Sequence, residues 1–223
     1  KAVAIPADQK ILHAIPREYV LDDSQEGIRN PVGMTGVRLE VHAHLVVCAQ
    51  SAAANISKCV QRCGLQVDDL VLSSLASSVA VLTADERELG VVMVDIGAGT
   101  TDVCMIQGYY PTGEDQISLP FAGDKVDQML NEAIKKNYPD VALSMIKVRE
   151  IKEEHSYVGK LEDPIVVSVV VGGKLRKLGL GPQIGECCAE LLARICEASK
   201  ILIGRASCDS VTDLLRNIAL TGG

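Results

Sequence analysis

Between Val37 and Leu45 apolar and polar residues alternate, with Val37, Leu39, Val41, Ala43 and Leu45 on one side and Arg38, Glu40, His42 and His44 on the other. A period of two predicts a strand in a sheet that is wet on one face. Ile11 to Val20 alternates more loosely and predicts an earlier strand. Between the two, Asp22 to Gly36 holds Asn30-Pro31 and several glycines and reads as turn-rich. From Ser51 the period becomes helical: Ala52, Ile56, Val60 and Cys63 share a stripe and Gly64 is placed to end the helix. The first seventy or so residues therefore predict a small α+β unit.

The rest of the chain alternates strands and helices. A helix is expected over Ser74 to Leu82, then a charged turn from Ala84 to Gly90 and a buried strand from Val91 to Asp95. The turn Gly97 to Thr100 leads into a returning strand, Asp102 to Gln107, and Ile117 to Phe121 reads as a third. Two helices follow. Asp124 to Lys136 carries Val126, Leu130 and Ile134 on one face, and Ser144 to His155 carries Ile146 and Ile151 among charges. Ile165 to Val171 and Lys174 to Leu178 flank Gly172-Gly173 as a hairpin. Gln183 to Ile203 predicts a long covering helix with Ile184, Cys188, Leu191, Leu192 and Ile195 inside. A short helix closes over Asp213 to Asn217, and Ile218 to Leu220 reads as a last buried strand. The expected class is α/β, with mixed sheets flanked by helices.

Composition narrows the function. A chain 48% hydrophobic and 23% charged has enough apolar surface to fold, and the absence of Trp with a single Phe predicts an aliphatic core. No run approaches the roughly 18 apolar residues of a membrane-spanning helix. Asp and Glu outnumber Lys and Arg by 29 to 22, a net charge of −7, which argues against a nucleic-acid partner because a phosphate backbone needs a basic face. Any phosphate site must be local. The eight Cys form no CxxC and read as reduced thiols serving as small core residues, as expected in the cytoplasm. The chain begins at Lys1 without a basic-then-apolar leader and ends in Gly222-Gly223 directly after a strand, so it reads as a fragment.

Val91-Val92-Met93-Val94-Asp95-Ile96-Gly97-Ala98-Gly99-Thr100-Thr101-Asp102 is the segment with the clearest chemistry: a buried strand, an acid at its end, a glycine-rich turn and a second strand. Glycines let backbone N–H groups approach an anion closely, which makes such a turn a phosphate site. Asp95 is placed to hold Mg²⁺, through water, because Mg²⁺ keeps much of its hydration shell. No Lys follows the glycines as in a Walker A loop, and no helix follows them as in a dinucleotide fingerprint. Other constellations carry less. His42, His44 and Cys48 share a strand face but lack a fourth zinc ligand. The acid pairs Asp68-Asp69, Asp85-Glu86 and Glu153-Glu154 read as solvated. Ser73, Ser74, Ser77 and Ser78 lack a GxSxG context and read as a helix start.

The whole segment resembles the second phosphate loop of the actin/Hsp70 superfamily, whose members clasp ATP between two halves. Val148-Arg149-Glu150-Ile151-Lys152-Glu153-Glu154-His155 resembles the actin-type helix that reaches the nucleoside, and Asn217 to Gly223 resembles the start of the adenosine-binding strand and turn. Residues 1 to 90 are similar to the FtsA family of cell-division actins, notably Ile11 to Tyr19, Gln25 to Met34, Gly36 to Glu40, Arg62 to Leu65 and Leu75 to Ser78. From Asp95 to Gly159 the chain is similar to the MamK family of magnetosome actins, notably Asp95 to Asp102, Gly113 to Gln116, Ala122-Gly123 and Lys152 to His155. A mosaic of the two and a divergent FtsA relative both fit.

The resemblance implies an actin-like (ribonuclease H-like) fold. It divides the chain into an FtsA-type subdomain, called 1C, with its connecting segment over residues 1–70, a remnant of the first lobe over 71–90 and a second lobe over 91–223. It implies ATP and Mg²⁺ as ligands, Asp95 for the metal, Gly97, Ala98, Gly99, Thr100 and Thr101 for the phosphates, and Arg149, Lys152, Glu153, Gly222 and Gly223 for the nucleoside, and through its Ala122-Gly123 turn it sets Asp115, Asp124 and Asp127 near the nucleotide cleft. It implies self-assembly into filaments, with the tubulin-like division protein and other division proteins as partners, in the cytoplasm and at the inner membrane or division site. Two departures temper this. The superfamily's first phosphate loop lies upstream of the residues present here. Ser74 occupies the place where hydrolysing actins carry a Glu or Gln that orients water, which implies at most a slow ATPase. The same nucleotide clasp serves small-molecule kinases, and a scaffold without nucleotide is the remaining alternative.

Overall fold

The computed structural model describes residues 4–108 and 113–222, and these fall into two compact units, one within residues 4–80 and one within 81–108 and 114–222.

The first unit is built on β1 (Gln9–Leu21), β2 (Gln25–Ile28) and β3 (Leu39–Ala49), an antiparallel sheet in the order β2-β1-β3. Strand β2 lies inside the stretch expected to be only turns; its Gln-Glu-Gly-Ile has no apolar alternation to announce it. The turn between β1 and β2 places Asp22 and Asp23 at positive φ, and Asp22 Oδ1 accepts from the N–H groups of Val37 and Arg38 at 2.8 Å each. Two irregularities in the β1–β3 register, at Ile11/His13 and Pro16/Glu18, disturb the simple alternation. The apolar face expected inside is largely open: Leu39 and Val41 are about half exposed, and Val37 lies before the strand in full contact with solvent.

Helix α1 (Gln50–Arg62) follows, and Gly64 at φ +78 ends it as expected. Its buried residue is Ala53, with Ser57 and Val60 half-buried, whereas Ala52, Ile56 and Cys63 are exposed, so the inward stripe is rotated from the one predicted. Leu72, just before α2 (Ser73–Val81), donates its N–H to His13 Nε2 at 3.1 Å and ties this connection to β1.

The second unit opens with α3 (Ala84–Leu89), a helix where a turn was expected. The signal is a capping box: Glu86 N–H donates to Thr83 Oγ1 at 3.2 Å and Thr83 N–H donates to Glu86 Oε2 at 2.8 Å. Next come β4 (Val91–Ile96), β5 (Thr101–Ile106) and β6 (Gln116–Leu119), which with the final strand β9 (Ile218–Gly222) form a sheet in the order β6-β5-β4-β9. Phe121 lies beyond β6 rather than in it. Strand β9 runs parallel to β4 at the sheet edge, and Ile218 and Leu220, expected to be buried, are more than half exposed.

Helices α4 (Gly123–Asn137) and α5 (Met145–His155) precede the hairpin β7 (Val166–Val171) and β8 (Lys174–Gly179). The hairpin turns on Gly172 and Gly173 at φ +56 and +76, the left-handed pair that a two-residue turn needs. In α5 the buried apolar residues are Val148 and Ile151, and Ile146 faces solvent.

Helix α6 (Gly181–Ile203) then runs about 35 Å at 1.5 Å per residue, and α7 (Val211–Arg216) leads to β9. The first half of α6 packs Ile184 and Cys187 against Val126, Leu130, Ile134, Val148, Ile151 and the hairpin. Its second half packs Ile195, Ala198, Leu202 and Ile203 on the sheet face formed by Val92, Val94, Val103 and Met105. The opposite face of that sheet, Val91, Met93, Cys104 and Ile106, is covered with Leu82. Leu192, expected inside, is 39% exposed, and Cys187 occupies the buried stripe instead.

All eight cysteines are free thiols. Cys104 and Cys187 serve the core, but Cys59, Cys63, Cys196 and Cys208 are exposed, which corrects the reading of the set as core residues. Burial pushes the Cys187 thiol up to about 11, so it stays protonated.

Two outcomes are expected. A Cβ on Gly222, at φ +101, would lie 2.2 Å from the Ile96 carbonyl oxygen and 2.7 Å from its nitrogen, so Gly222→Ala forces the β4–β9 seam apart. Urea denaturation should show a loss of about 2 kcal/mol or more, against less than about 1 for Gly99→Ala, where the added carbon meets open space. The hydrogen bond from the Thr83 backbone, with that from its hydroxyl, holds the Glu86 carboxyl below its ordinary 4.5. A depressed acid stabilises the fold above its ordinary value and stops doing so as the pH falls through its folded value. A carbon-13 titration should therefore find Glu86 below 4.5, and Thr83→Val, which removes the hydroxyl bond but keeps the backbone one, should raise it only part of the way back.

Candidate functional site

Four buried residues, Val91 to Val94, anchor β4 in the core and deliver the half-buried Asp95 and Ile96 to its end. The antiparallel partner β5 sets Asp102 opposite Asp95 and Thr101 opposite Ile96. Between the strands Gly97 N–H donates to Thr100 O at 2.9 Å, closing a tight turn in which Ala98, Gly99 and Thr100 are exposed. Thr101 is fully buried, and its hydroxyl donates to the Phe121 carbonyl at 2.9 Å. It is therefore a brace between the turn and the approach to α4, not an open ligand.

The start of α4 seats on this turn through its backbone. Gly123 N–H donates to Gly97 O at 3.2 Å and Asp124 N–H donates to Ala98 O at 2.8 Å. These are donors that a helix N-terminus leaves without intrahelical partners, and here the turn carbonyls take them. A trans peptide points its C=O and N–H in opposite directions, so the N–H groups of Ala98 and Gly99 are directed away from α4. The result is a small nest of outward amides at the mouth of the strand pair.

Helix α5 supplies the cations. Arg149 Nε lies 3.1 Å from Asp127 Oδ2, and its Nη2 lies 2.7 Å from Asp124 Oδ1. Lys152 Nζ lies 3.0 Å from Asp127 Oδ1 and donates to the Gly123 carbonyl at 3.4 Å. Asp127 is 1% exposed and Lys152 17%, whereas Arg149 and Glu153 are open to solvent. The hydrogen bond to Asp127 and the charges of Asp127 and Asp124 hold the Arg149 guanidinium still more firmly protonated than usual. The sequence signal for this pairing is limited to spacing: the acids Asp124 and Asp127, and the cations Arg149 and Lys152, are each three residues apart and so share a helix face, and the fold supplies the meeting of the two faces.

The structure thus brings together the turn, Asp95, Arg149 and Lys152, and it adds Asp127, which the sequence placed only in the neighbourhood. Gly222 sits opposite Ile96 at the end of β4, beside the turn. Gly223 lies outside the described residues. Ser74 belongs to the first unit; it is buried on α2, and its Oγ finds no hydrogen-bond partner among the described residues. Of the zinc candidates, His42 Nδ1 is 2.9 Å from Glu18 Oε1, and no three His, Cys, Asp or Glu side chains cluster as metal ligands among the described residues.

The donor set at the end of β4 fits a hard cation. Asp95 and Asp102 are paired in register across the strand pair, which sets two acids side by side, and Gln116 Nε2 meets Asp102 Oδ1 at 3.5 Å. Two carboxylates leave most positions to water or phosphate oxygens, the coordination Mg²⁺ prefers.

Comparison with known proteins gives these features a lineage. A family described as the SHS2 domain inserted in FtsA matches residues 1–47, and one described as MreB/Mbl protein matches residues 34–223. The cell division protein FtsA of Escherichia coli K12 is 41% identical over 228 aligned residues, covering 100% of this chain and 53% of the relative. FtsA of Pseudomonas aeruginosa is 49% identical over 151 residues, 67% of this chain and 34% of the relative. The chain thus spans about half the length of the curated relatives it matches, or less.

Among solved structures, the MamK double helical filament superposes with a TM-score of 0.68 at 27% identity, over 79% of this chain and 53% of that one. A non-polymerising MamK mutant bound to AMPPNP gives 0.59 at 30%, over 62% and 42%. MreB 5 of Spiroplasma citri bound to AMPPNP, at 18% identity and a TM-score of 0.61 over 78% of this chain and 53% of that one, shares the fold. With an actin-like fold and a match running from residue 34 to the last residue, the chain belongs to the MreB/Mbl family.

Proposed function

We propose that residues 91–223, which make up most of the second unit, are one lobe of an ATP clasp and that the protein they represent is a bacterial actin-like filament former of the FtsA type, acting in cell division. The observation that carries this reading is the backbone seat of α4 on the turn, which leaves the amides of Ala98 and Gly99 facing outward while Lys152 is held at the same helix start. Its relatives fit: FtsA is a cell division protein, and MamK has been solved both as a filament and with AMPPNP.

In this reading residues 1–70 form the FtsA-type subdomain, 71–90 belong to the first lobe and 91–223 to the second. Gly97, Ala98, Gly99 and Thr100 receive the phosphates, and Thr101 holds the turn in place. Asp95, with Asp102 opposite, holds the hydrated Mg²⁺, which neutralises phosphate charge when bound. Arg149, Lys152 and Glu153 meet the nucleoside, and Gly222 with Gly223 leaves room on the adenosine side. Ser74, at the position where related ATPases orient water, makes hydrolysis slow.

Such a site uses nucleotide first as a conformational ligand, because binding shifts the protein only by as much as it favours one arrangement over another. Copies of the chain are the first partners, with the tubulin-like division protein and other division proteins as further ones. The place of action is the cytoplasm, at the division site or inner membrane; no helix among the described residues is long and apolar enough to cross a membrane. A MamK-type organelle-positioning filament is the second reading, favoured by the superposition on the MamK filament.

Isothermal titration with MgATP tests the proposal. The chain should bind, and Asp95→Ala and Lys152→Ala should each weaken binding by about tenfold or more, the range for losing a charge-assisted contact. Sedimentation with MgATP should then pellet polymer. Binding without polymer but with phosphoryl transfer to a small acceptor would favour a kinase. No binding, with none regained when the upstream residues of a full-length relative are restored, would leave a scaffold.

A further inference from the structure

Strand β3 is regular along its length, because both irregularities in the β1–β3 register place their extra residue, Leu12 and then Arg17, on β1. His42 and His44 therefore project from one face of the sheet, about 7 Å apart at 3.4 Å per residue. The second irregularity decides what His42 meets. Pro16 pairs with Ala43, so an unbroken register would set the cation Arg17 opposite His42; the extra residue brings Glu18 there instead. Bulges re-aim side chains in this way and are over-represented beside functional sites.

Glu18 Oε1 lies 2.9 Å from His42 Nδ1. With side-chain exposures of 59% for His42 and 39% for Glu18, the pair contributes little as an ion pair. Its effect is to orient the ring. An ionised carboxylate only accepts, so Nδ1 carries the ring proton and the neutral ring keeps its lone pair on Nε2. Metal-ligating histidines are built this way, with an outer carboxylate that fixes the tautomer and raises the basicity of the ligand nitrogen. His44 is half-buried and makes no hydrogen bond or ion pair among the described residues, so its ring can turn toward His42. At metal–nitrogen distances of about 2.0–2.1 Å, a tetrahedral ion needs the two nitrogens about 3.3 Å apart, a lean that side-chain torsions supply. Other groups on this face are engaged or out of reach. Glu40 is held by Arg38, His13 Nε2 accepts from the Leu72 N–H at 3.1 Å, and Cys48 lies four residues, about 14 Å, beyond His44.

We propose that His42 and His44 form a two-imidazole site for a divalent late first-row transition ion, with Glu18 setting the tautomer of His42. Imidazole suits Zn²⁺, Ni²⁺ and Cu²⁺, whereas Mg²⁺ takes oxygen ligands. Water completes the coordination of such an ion. Glu18 touches no metal and acts through His42, as a positioning residue. The site uses no residue of the second unit, so it stands or falls separately from the nucleotide reading.

Long-range proton–nitrogen NMR of the imidazole rings tests this, with Zn²⁺ alone as the probe at about pH 7.5, above the ordinary imidazole value. The readout is blind to zinc on the exposed thiols of Cys59, Cys63, Cys196 and Cys208. Before metal is added, His42 should show one tautomer, with its proton on Nδ1. Zn²⁺, carried past what the thiols take up, should move Nε2 of His42 and a ring nitrogen of His44 along one binding curve, and Mg²⁺ should move neither. Glu18→Ala should weaken Zn²⁺ binding by about tenfold, the range for an outer-sphere partner, and release the fixed tautomer; His44→Gln should weaken binding at His42 by at least about as much. Separate midpoints for the two rings, or a His42 midpoint unmoved by His44→Gln, would mean two independent surface imidazoles and overturn the proposal. So would silence of both rings toward Zn²⁺, an equal response to Mg²⁺, or unchanged affinity in Glu18→Ala. The two midpoints of the unaltered chain decide the matter even where a variant fails to fold.

Discussion

Two backbone hydrogen bonds, Gly123 N–H to Gly97 O and Asp124 N–H to Ala98 O, set the geometry of the second unit's site. A helix start carries unmet donors and a tight turn carries unmet carbonyls, and each satisfies the other here. Because the contact is made by backbone, it fixes the turn and the helix axis together and leaves the side chains free for other work. The direction of the Ala98 and Gly99 amides, the depth of Asp127 and the reach of Lys152 all follow from it. Thr101 reinforces the same joint from the strand side through Phe121, and the Phe121 ring is in turn covered by the Arg194 guanidinium of α6, 4.3 Å from its centroid.

The other constraint is lateral. Strand β9 lies against β4 in parallel register, and the chain reaches the end of β4 only because Gly222 has no side chain to strike Ile96. The same absence keeps the space beside the turn open. A steric requirement of the sheet and a requirement of the proposed ligand therefore coincide at one residue, which is why a glycine there says less about function than its position in a motif suggests.

Much of this was legible in the sequence, because most elements of the second unit obey one period. The buried run Val91–Val94, the stripe Val126, Leu130 and Ile134, and the Gly172-Gly173 turn each encode a single answer. What escaped had physical reasons. Strand β2 is too short and polar to show alternation. Helix α3 is announced by its cap alone, without an apolar stripe. In α5, Ile146 and Val148 compete for the inward face, and contact with α4 decides for Val148. Strand β9 is apolar in composition yet lies at an edge, which periodicity cannot tell from a centre. In the first unit, two register irregularities break the correspondence between alternation and burial. At the site, the glycines and Asp95 were readable as a motif, whereas the pairing of Asp127 with Arg149 and Lys152 depended on the distance between α4 and α5, which only the fold supplies.

Helix α6 has one half in the core of α4, α5 and the hairpin and the other half on the sheet, with Leu191 touching both. Neither core can be lost without stranding half of the same 23-residue helix. The two cores are therefore one cooperative folding unit rather than two, and partial opening is confined to elements that α6 does not bridge. Such a rod makes α4, α5, the hairpin and the sheet one rigid body within the second unit.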